Sequence, residues 1–205
     1  MEQFVRLTAR ACPLPQPNLN TDQILPARYL KWPRTKGLGT VLFQDLRFDA
    51  EGKERADFPL NQSVWRGAKI LVAGRNFGGG SSREAAVYAI YDYGFRCVIA
   101  PSFGDIFAQN AVKNGLLTAI VSQGDSVDLA AAVAAEPQRE ITVDLEKQTI
   151  SCGNRTYDFS IDPVSRNQLL NGWDDIDLTE SYRAQITAYR TADHRLRPWA
   201  TPQKA

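Results

Sequence analysis

Three short apolar runs punctuate the middle of the chain: Lys69-Ile70-Leu71-Val72-Ala73, Arg96-Cys97-Val98-Ile99-Ala100 and Leu117-Thr118-Ala119-Ile120-Val121. Each reads as a strand buried on both faces. Between the first two, Ala86, Ala89, Ile90 and Tyr93 recur at helical spacing, which predicts a helix from about Ser82 to Tyr93. A second helix is expected over Asp105 to Asn114. Strands alternating with helices in this way form parallel β-α-β units.

The flanks are less regular. The opening segment is rich in Pro, Asn and Asp, with a strand expected at Phe4 to Leu7, then loops, and a short amphipathic helix near Gly39 to Phe48. Beyond the third run, a helix is expected near Asp128 to Ala135. Ile141, Val143 and Leu145 then alternate with polar residues; with Thr149-Ile150-Ser151 and Arg155 to Ile161 they predict an antiparallel meander turning at Gly153-Asn154. Leu178, Tyr182, Ile186 and Tyr189 stripe a C-terminal helix. The expected organisation is one α/β domain with a mixed sheet over residues 1–191, followed by a flexible tail over 192–205.

Composition excludes several function classes. The chain is 43% hydrophobic and 23% charged with a net charge of +1, so it lacks the electrostatic footprint of a nucleic-acid or membrane-surface protein. Its three cysteines, Cys12, Cys97 and Cys152, are widely spaced and odd in number. They make neither a disulfide framework nor a metal cage built by this chain alone, and they point to a reducing compartment. Met-Glu-Gln-Phe has no basic run and no long apolar segment behind it, so neither signal peptide nor membrane span is expected. The cytoplasm is the expected location.

The most informative stretch is Gly74-Arg75-Asn76-Phe77-Gly78-Gly79-Gly80-Ser81-Ser82-Arg83-Glu84. Gly78, Gly79 and Gly80 allow unusual backbone conformations and close approach of a ligand, which makes them a candidate backbone anion site. The turn runs into the expected helix, whose unpaired N–H groups favour a carboxylate or phosphate. It is neither a P-loop, for lack of the phosphate lysine, nor a dinucleotide fingerprint, because Arg83 stands where the third glycine belongs. A Ser-His-Asp triad is excluded in practice, since the only histidine, His194, lies in the tail. Ser81-x-x-Glu84 also reads as a plain capping box, and both readings stay open at this point. A helix terminus alone stabilises a nearby charge by about 0.3–1 kcal/mol, less than about one pKa unit. A serine there needs further help to act as a base.

Gly78-Gly79-Gly80-Ser81-Ser82-Arg83-Glu84 resembles the Gly-x-Gly-Ser-Ser-Arg-Glu signature of the aconitase superfamily's swivelling domain. Asn18-Leu19-Asn20-Thr21-Asp22-Gln23-Ile24-Leu25-Pro26 resembles the 3-isopropylmalate dehydratase small-subunit family, as do two further segments. These are Pro101-Ser102-Phe103-Gly104-Asp105-Ile106-Phe107, closed by Lys113-Asn114-Gly115-Leu116-Leu117, and Leu169-Leu170-Asn171-Gly172-Trp173-Asp174-Asp175-Ile176. Order and spacing hold from about Phe4 to Tyr189. The resemblance implies a swivelling β/β/α domain, aconitase C-terminal-domain-like, that closes over a larger subunit. It also implies that the partner carries a 4Fe-4S cluster and that this chain binds none. The implied reaction dehydrates 2-isopropylmalate and rehydrates the product to 3-isopropylmalate, a step of leucine biosynthesis on a small dicarboxylic hydroxy acid. By the same resemblance Ser81 is the base, Ser82 and Arg83 bind a substrate carboxylate, and Thr21 and Asp22 lie near the same site. Arg34, in the loop Arg28 to Gly37, is the candidate for a second carboxylate clamp; the alternative is a solvated basic loop.

The match departs from the family at three positions. Gly79 stands where Cys is usual, Ala85 where His is usual, and Asn20 where Asp is usual; the loop's Arg34-Thr35 is also offset from its glycine. These changes bear on the substrate. They keep open a paralogue acting on a citraconate- or dimethylmalate-type acid. A non-catalytic or RNA-binding relative is the third reading, against which neutral charge and the Ser81-Ser82-Arg83 core both count.

Overall fold

The computed structural model describes residues 1–80 and 83–200. Seven strands form one sheet in the order β4-β3-β2-β1-β5-β6-β7. In chain order these are β1 (Arg6–Leu14), β2 (Ile70–Ala73), β3 (Cys97–Ala100), β4 (Leu117–Ile120), β5 (Glu140–Asp144), β6 (Thr149–Cys152) and β7 (Arg155–Asp158). The helices are α1 (Thr21–Ile24), α2 (Gln44–Arg47), α3 (Glu84–Tyr93), α4 (Asp105–Lys113), α5 (Gln123–Ala135), α6 (Pro163–Asn171), α7 (Asp175–Ser181) and α8 (Arg183–Leu196). Strands β1 to β4 pair in parallel, while β5, β6 and β7 extend the other flank as an antiparallel meander. The mixed α/β sheet expected from the sequence is the one observed.

β1 belongs to both halves. Ala11 to Leu14 register with Ile70 to Ala73 in parallel, whereas Arg6 to Arg10 register with Asp144 to Glu140 in antiparallel fashion. Ile70, Leu71, Val72, Cys97, Val98 and Ile99 are fully buried, as an unbroken apolar strand sandwiched between helices must be. α5 packs on β1, β2 and β3, and α3 packs on a 3-10 turn at Leu38–Val41. That last contact is close: a Cβ at Gly39 would lie 2.5 Å from the Tyr93 backbone nitrogen.

Several expectations are corrected. β1 runs seven residues beyond Leu7, where loops were expected; its continuation, Thr8-Ala9-Arg10-Ala11-Cys12, offers no run of large β-formers. The helix expected near Gly39 to Phe48 is split into the 3-10 turn and α2, because Leu42 is extended and Phe43 is left-handed (φ 51°). α5 starts at Gln123, capped by the Ser122 hydroxyl. α6, launched by the Asp162 cap and Pro163, was not expected, and only its last residues fall in the Leu169–Ile176 motif. The C-terminal helix is two helices meeting at Tyr182, and α8 continues past Thr191 to Leu196. The tail therefore begins as helix.

Candidate active site

The glycine-rich turn leaves the end of β2 and is woven between two neighbouring loops. A Cβ at Gly74 would sit 2.5 Å from the carbonyl oxygens of Pro15 and Gln16, so only glycine lets the two chains pass this closely. Asn76 adopts a left-handed conformation (φ 56°). Its backbone N–H donates to the Ser102 hydroxyl at 2.9 Å, and its amide donates to Asn18 Oδ1 at 3.0 Å. The Phe77 N–H donates to the Ser102 carbonyl (3.0 Å), the Gly78 N–H to Leu19 (2.7 Å), and the Thr21 N–H to Gly79 (3.1 Å). Three of the recognised sequence segments thus interlock at the carboxyl ends of the parallel strands, where α/β sheets place their ligands.

An aromatic cluster fixes this knot from below. Phe77 stands edge-on to Phe107 at 5.4 Å and to Phe103 at 6.4 Å, while Phe103 and Phe107 stack. Gly78 lies directly over the Phe107 ring.

α1 is a single turn held by a reciprocal cap: the Gln23 N–H donates to Asn20 Oδ1, and Gln23 Oε1 accepts from the Asn20 N–H. The cap places buried Thr21 and half-exposed Asp22 beside the turn. Arg83 occupies the N-cap position of α3 and sends its guanidinium Nη1 to Asp22 Oδ1. Its side chain is 20% exposed and that of Asp22 53%, so the guanidinium is largely covered and the carboxylate faces solvent. The structure brings together Thr21, Asp22, Gly78, Gly79, Gly80 and Arg83. Ser81 and Ser82 lie outside the described residues.

One site expectation requires correction. The Gly78 N–H is engaged by the Leu19 carbonyl, so a backbone anion cradle here does not include it. α3 begins at Glu84 with Arg83 at the cap; Ser81 of the alternative capping box lies outside the described residues. The Glu84 carboxylate accepts from the Asn114 amide at 3.0 Å.

Arg34 is not brought to the turn. It donates to Asp92 through Nη2 at 2.9 Å and Nε at 3.1 Å, and its guanidinium lies 4.4 Å from the Tyr88 ring centroid. The hydrogen bond to Asp92 raises its already high pKa. Asp92 sits eight residues along α3 from Glu84, about 12 Å at a helical rise of about 1.5 Å per residue. Arg34 straps the loop to the flank of α3, while Arg28, Lys31 and Lys36 remain exposed. Residues not singled out from sequence are Asn76 and Asn18, which shape the turn, and Asn114, which ties Glu84 and the start of α3 to the end of α4. Asn18 and Asn114 were signalled only by membership in the matching segments, and Asn76 only by its place in the glycine-rich stretch.

The three thiols do not fit a cluster. They are buried on β1, β3 and β6, and burial pushes Cys12 up to about 12 and Cys97 higher still. Among the described residues, no group of three or more His, Cys, Asp or Glu side chains is placed to hold a metal ion. No helix among them is long and apolar enough to cross a membrane.

Comparison with known proteins agrees with the interlocked motifs. The aconitase C-terminal domain model matches residues 1–124, and the LeuD_N model matches residues 127–163. A 3-isopropylmalate dehydratase small subunit from Rhodospirillum centenum is 49% identical over 98% of this chain and 99% of its own length. One from Dinoroseobacter shibae is 46% identical over 97% of this chain and all of its own. The crystal structure of 3-isopropylmalate dehydratase from Methanocaldococcus jannaschii aligns with a TM-score of 0.64 at 26% identity, covering 90% of this chain and 99% of that one. The swivelling α/β domain, with its glycine turn pinned against α1 and Arg83 at the head of α3, thus belongs to the 3-isopropylmalate dehydratase small-subunit family, which carries the aconitase C-terminal domain.

Proposed function

We propose that the chain is the small subunit of a two-subunit hydro-lyase that converts 2-isopropylmalate to 3-isopropylmalate through 2-isopropylmaleate, in leucine biosynthesis. The observation that carries this reading is the Arg83–Asp22 pair beside the glycine turn. A dicarboxylic hydroxy acid needs a fixed cation for a carboxylate, and Arg83 supplies a planar fork held from one side. Asp22 engages Nη1, and in this reading the ligand carboxylate takes another edge of the guanidinium. A carboxylate repels a carboxylate, so the part of Asp22 is to orient Arg83 or to accept from the substrate hydroxyl.

Ser81 takes the proton from the carbon beside the carboxylate, and Ser82 donates to that carboxylate together with Arg83. Thr21, buried against the turn, fixes the Gly79 carbonyl through its N–H. The 4Fe-4S cluster belongs to the large subunit in this reading, since the thiols here do not fit it. The partner closes the site from the side on which Asp22 is exposed. The assembly works in the cytoplasm.

The test is reconstitution. The purified chain alone should show no turnover of 2-isopropylmalate. Mixing it anaerobically with a cluster-bearing large subunit should produce the unsaturated acid, followed by its ultraviolet absorbance. Ser81→Ala in the mixed enzyme should lower kcat by about 10²–10⁴-fold. Turnover by the lone chain, or an inert pair with intact cluster, refutes the reading.

A second substrate reading has one observation in its favour. At Gly79 a Cβ would lie 2.9 Å from Asn76 Oδ1, so the usual cysteine would displace the Asn76 amide from the turn. The site has been refitted around a smaller residue, which suits an acid of different bulk. Assaying the pair on citraconate- and dimethylmalate-type acids separates the two.

A further inference from the structure

Helix α4 touches the segment that runs from the glycine turn into α3 at both of that segment's ends. Near the start of α4, the Phe107 ring lies directly beneath Gly78. At the C-cap of α4, the Asn114 amide donates to Glu84 Oε1 at 3.0 Å and to the Asn110 carbonyl at 2.8 Å. Gly78 and Glu84 bound the stretch that carries Ser81, Ser82 and Arg83. Phe107 and Asn114 stand about 10 Å apart along the helix axis, at a rise of about 1.5 Å per residue. The helix spans that stretch as a strut.

Both ends of the strut are fixed. Phe107 is buried and stacked on Phe103. Beyond Asn114 the chain turns at once through Gly115, left-handed at φ 75°, and Leu116 and Leu117 are fully buried as β4 begins. Asn114 is thus held between a helix and a buried strand. The head of α3, by contrast, has no cap of its own, since Arg83 makes no side-chain hydrogen bond to the first turn. The helix dipole favours a carboxylate at Glu84, but it sets no direction for it. The amide reaching over from α4 does. One turn along α3, burial and the Glu84 carboxylate both raise the Tyr88 phenol above its ordinary pKa, which keeps it a protonated donor facing the same group.

We infer that Asn114 is a positioning residue for Arg83, holding the first residue of α3 so that the adjoining guanidinium meets the substrate carboxylate; the inference rests on the two-subunit reading above. The tie acts across a single peptide unit, from Glu84 to Arg83. A guanidinium grips a carboxylate well only with its fork aligned. Displacing such a group by about 1 Å costs up to about 100-fold in rate. The hydrogen bond itself, made at the surface, adds little to stability. Its value lies in aim.

The test uses the reconstituted pair. Asn114→Ala should raise KM about 10-fold and leave kcat within about twofold, because a carboxylate clamp acts alike on the ground and transition states. The thermal midpoint of the free chain should fall by only about 2–4 °C. Asn114→Asp, which keeps the shape but not the donor, should lose at least as much in KM. In an Arg83→Lys background, Asn114→Ala should cost less than about twofold, since the fork it aims is gone. Lys113→Ala, which removes the neighbouring ion pair with Asp175, should leave both constants near wild type. Wild-type kinetics in both Asn114 variants, an undiminished loss in the Arg83→Lys background, or an equal loss in Lys113→Ala each overturns the proposal and leaves the two-subunit reading standing. An inert wild-type pair with intact cluster overturns both.

Discussion

Replacing Gly78 by alanine should be costly, and its two components can be separated. The residue is left-handed (φ 71°), and an added Cβ would lie 2.3 Å from Phe107 Cγ. The conformation alone costs an L-residue about 1–2 kcal/mol. The ring has little room to retreat, because Phe107 is 3% exposed and stacked on Phe103 while Phe77 presses its face. Overpacking of that kind adds about 1–3 kcal/mol, for a total of about 2–5 kcal/mol. In a chain of this size the thermal midpoint should fall by about 4–20 °C, followed by circular dichroism. Gly52→Ala is the matched control: its φ is 79°, and an added Cβ meets nothing within 4 Å. It should show only the conformational part. Equal losses at the two positions would show that the ring yields, and that the aromatic cluster does not hold the turn as argued.

Arg83→Lys should lower kcat/KM of the reconstituted pair by about 10–100-fold, through loss of charge-assisted hydrogen bonds in a fixed fork, with the thermal midpoint unchanged. Unaltered kinetics would remove Arg83 from the site. Arg34→Ala should destabilise the free chain by about 0.5–2 kcal/mol, as a partly screened ion pair and a cation–π contact are lost, and leave KM unchanged; a large rise in KM would return Arg34 to the role of substrate clamp. Acid should loosen the fold in a defined window. The Tyr157 hydroxyl and Arg155 hold the Asp128 carboxyl below the usual range, as Lys113 and Gln168 do for Asp175 and Arg28 does for Asp45. Depressed carboxylates stabilise above their unfolded pKa of about 3.9 and lose that contribution as pH falls through the folded value. The urea midpoint should stay flat from neutral pH to about 5 and drop below about 4, and Asp128→Asn should reduce the drop.

The parts of the fold legible in sequence are those where one local rule prevails. β2, β3 and β4 were readable because strands buried on both faces are continuous apolar runs, and the meander because β5 alternates. The second half of β1 was not, since Ala9, Arg10 and Ala11 earn their strand conformation from neighbours on both sides rather than from propensity. The site divides in the same way. The glycine turn announces itself, but the contact of Arg83 with Asp22 spans sixty-one residues and was reachable only through family resemblance. Arg34 shows the limit: a basic loop reveals a need for an anion without saying whether that anion is a ligand or Asp92.

The dual allegiance of β1 also bears on how the molecule is made. Its parallel partner is synthesised first, while the strand that completes its other flank, Glu140–Asp144, emerges far later. At about 5–20 residues per second, that flank stays open on the ribosome for on the order of ten seconds. Arg6 and Arg10 lie along the half left waiting, where charge discourages adhesion to a neighbouring nascent chain.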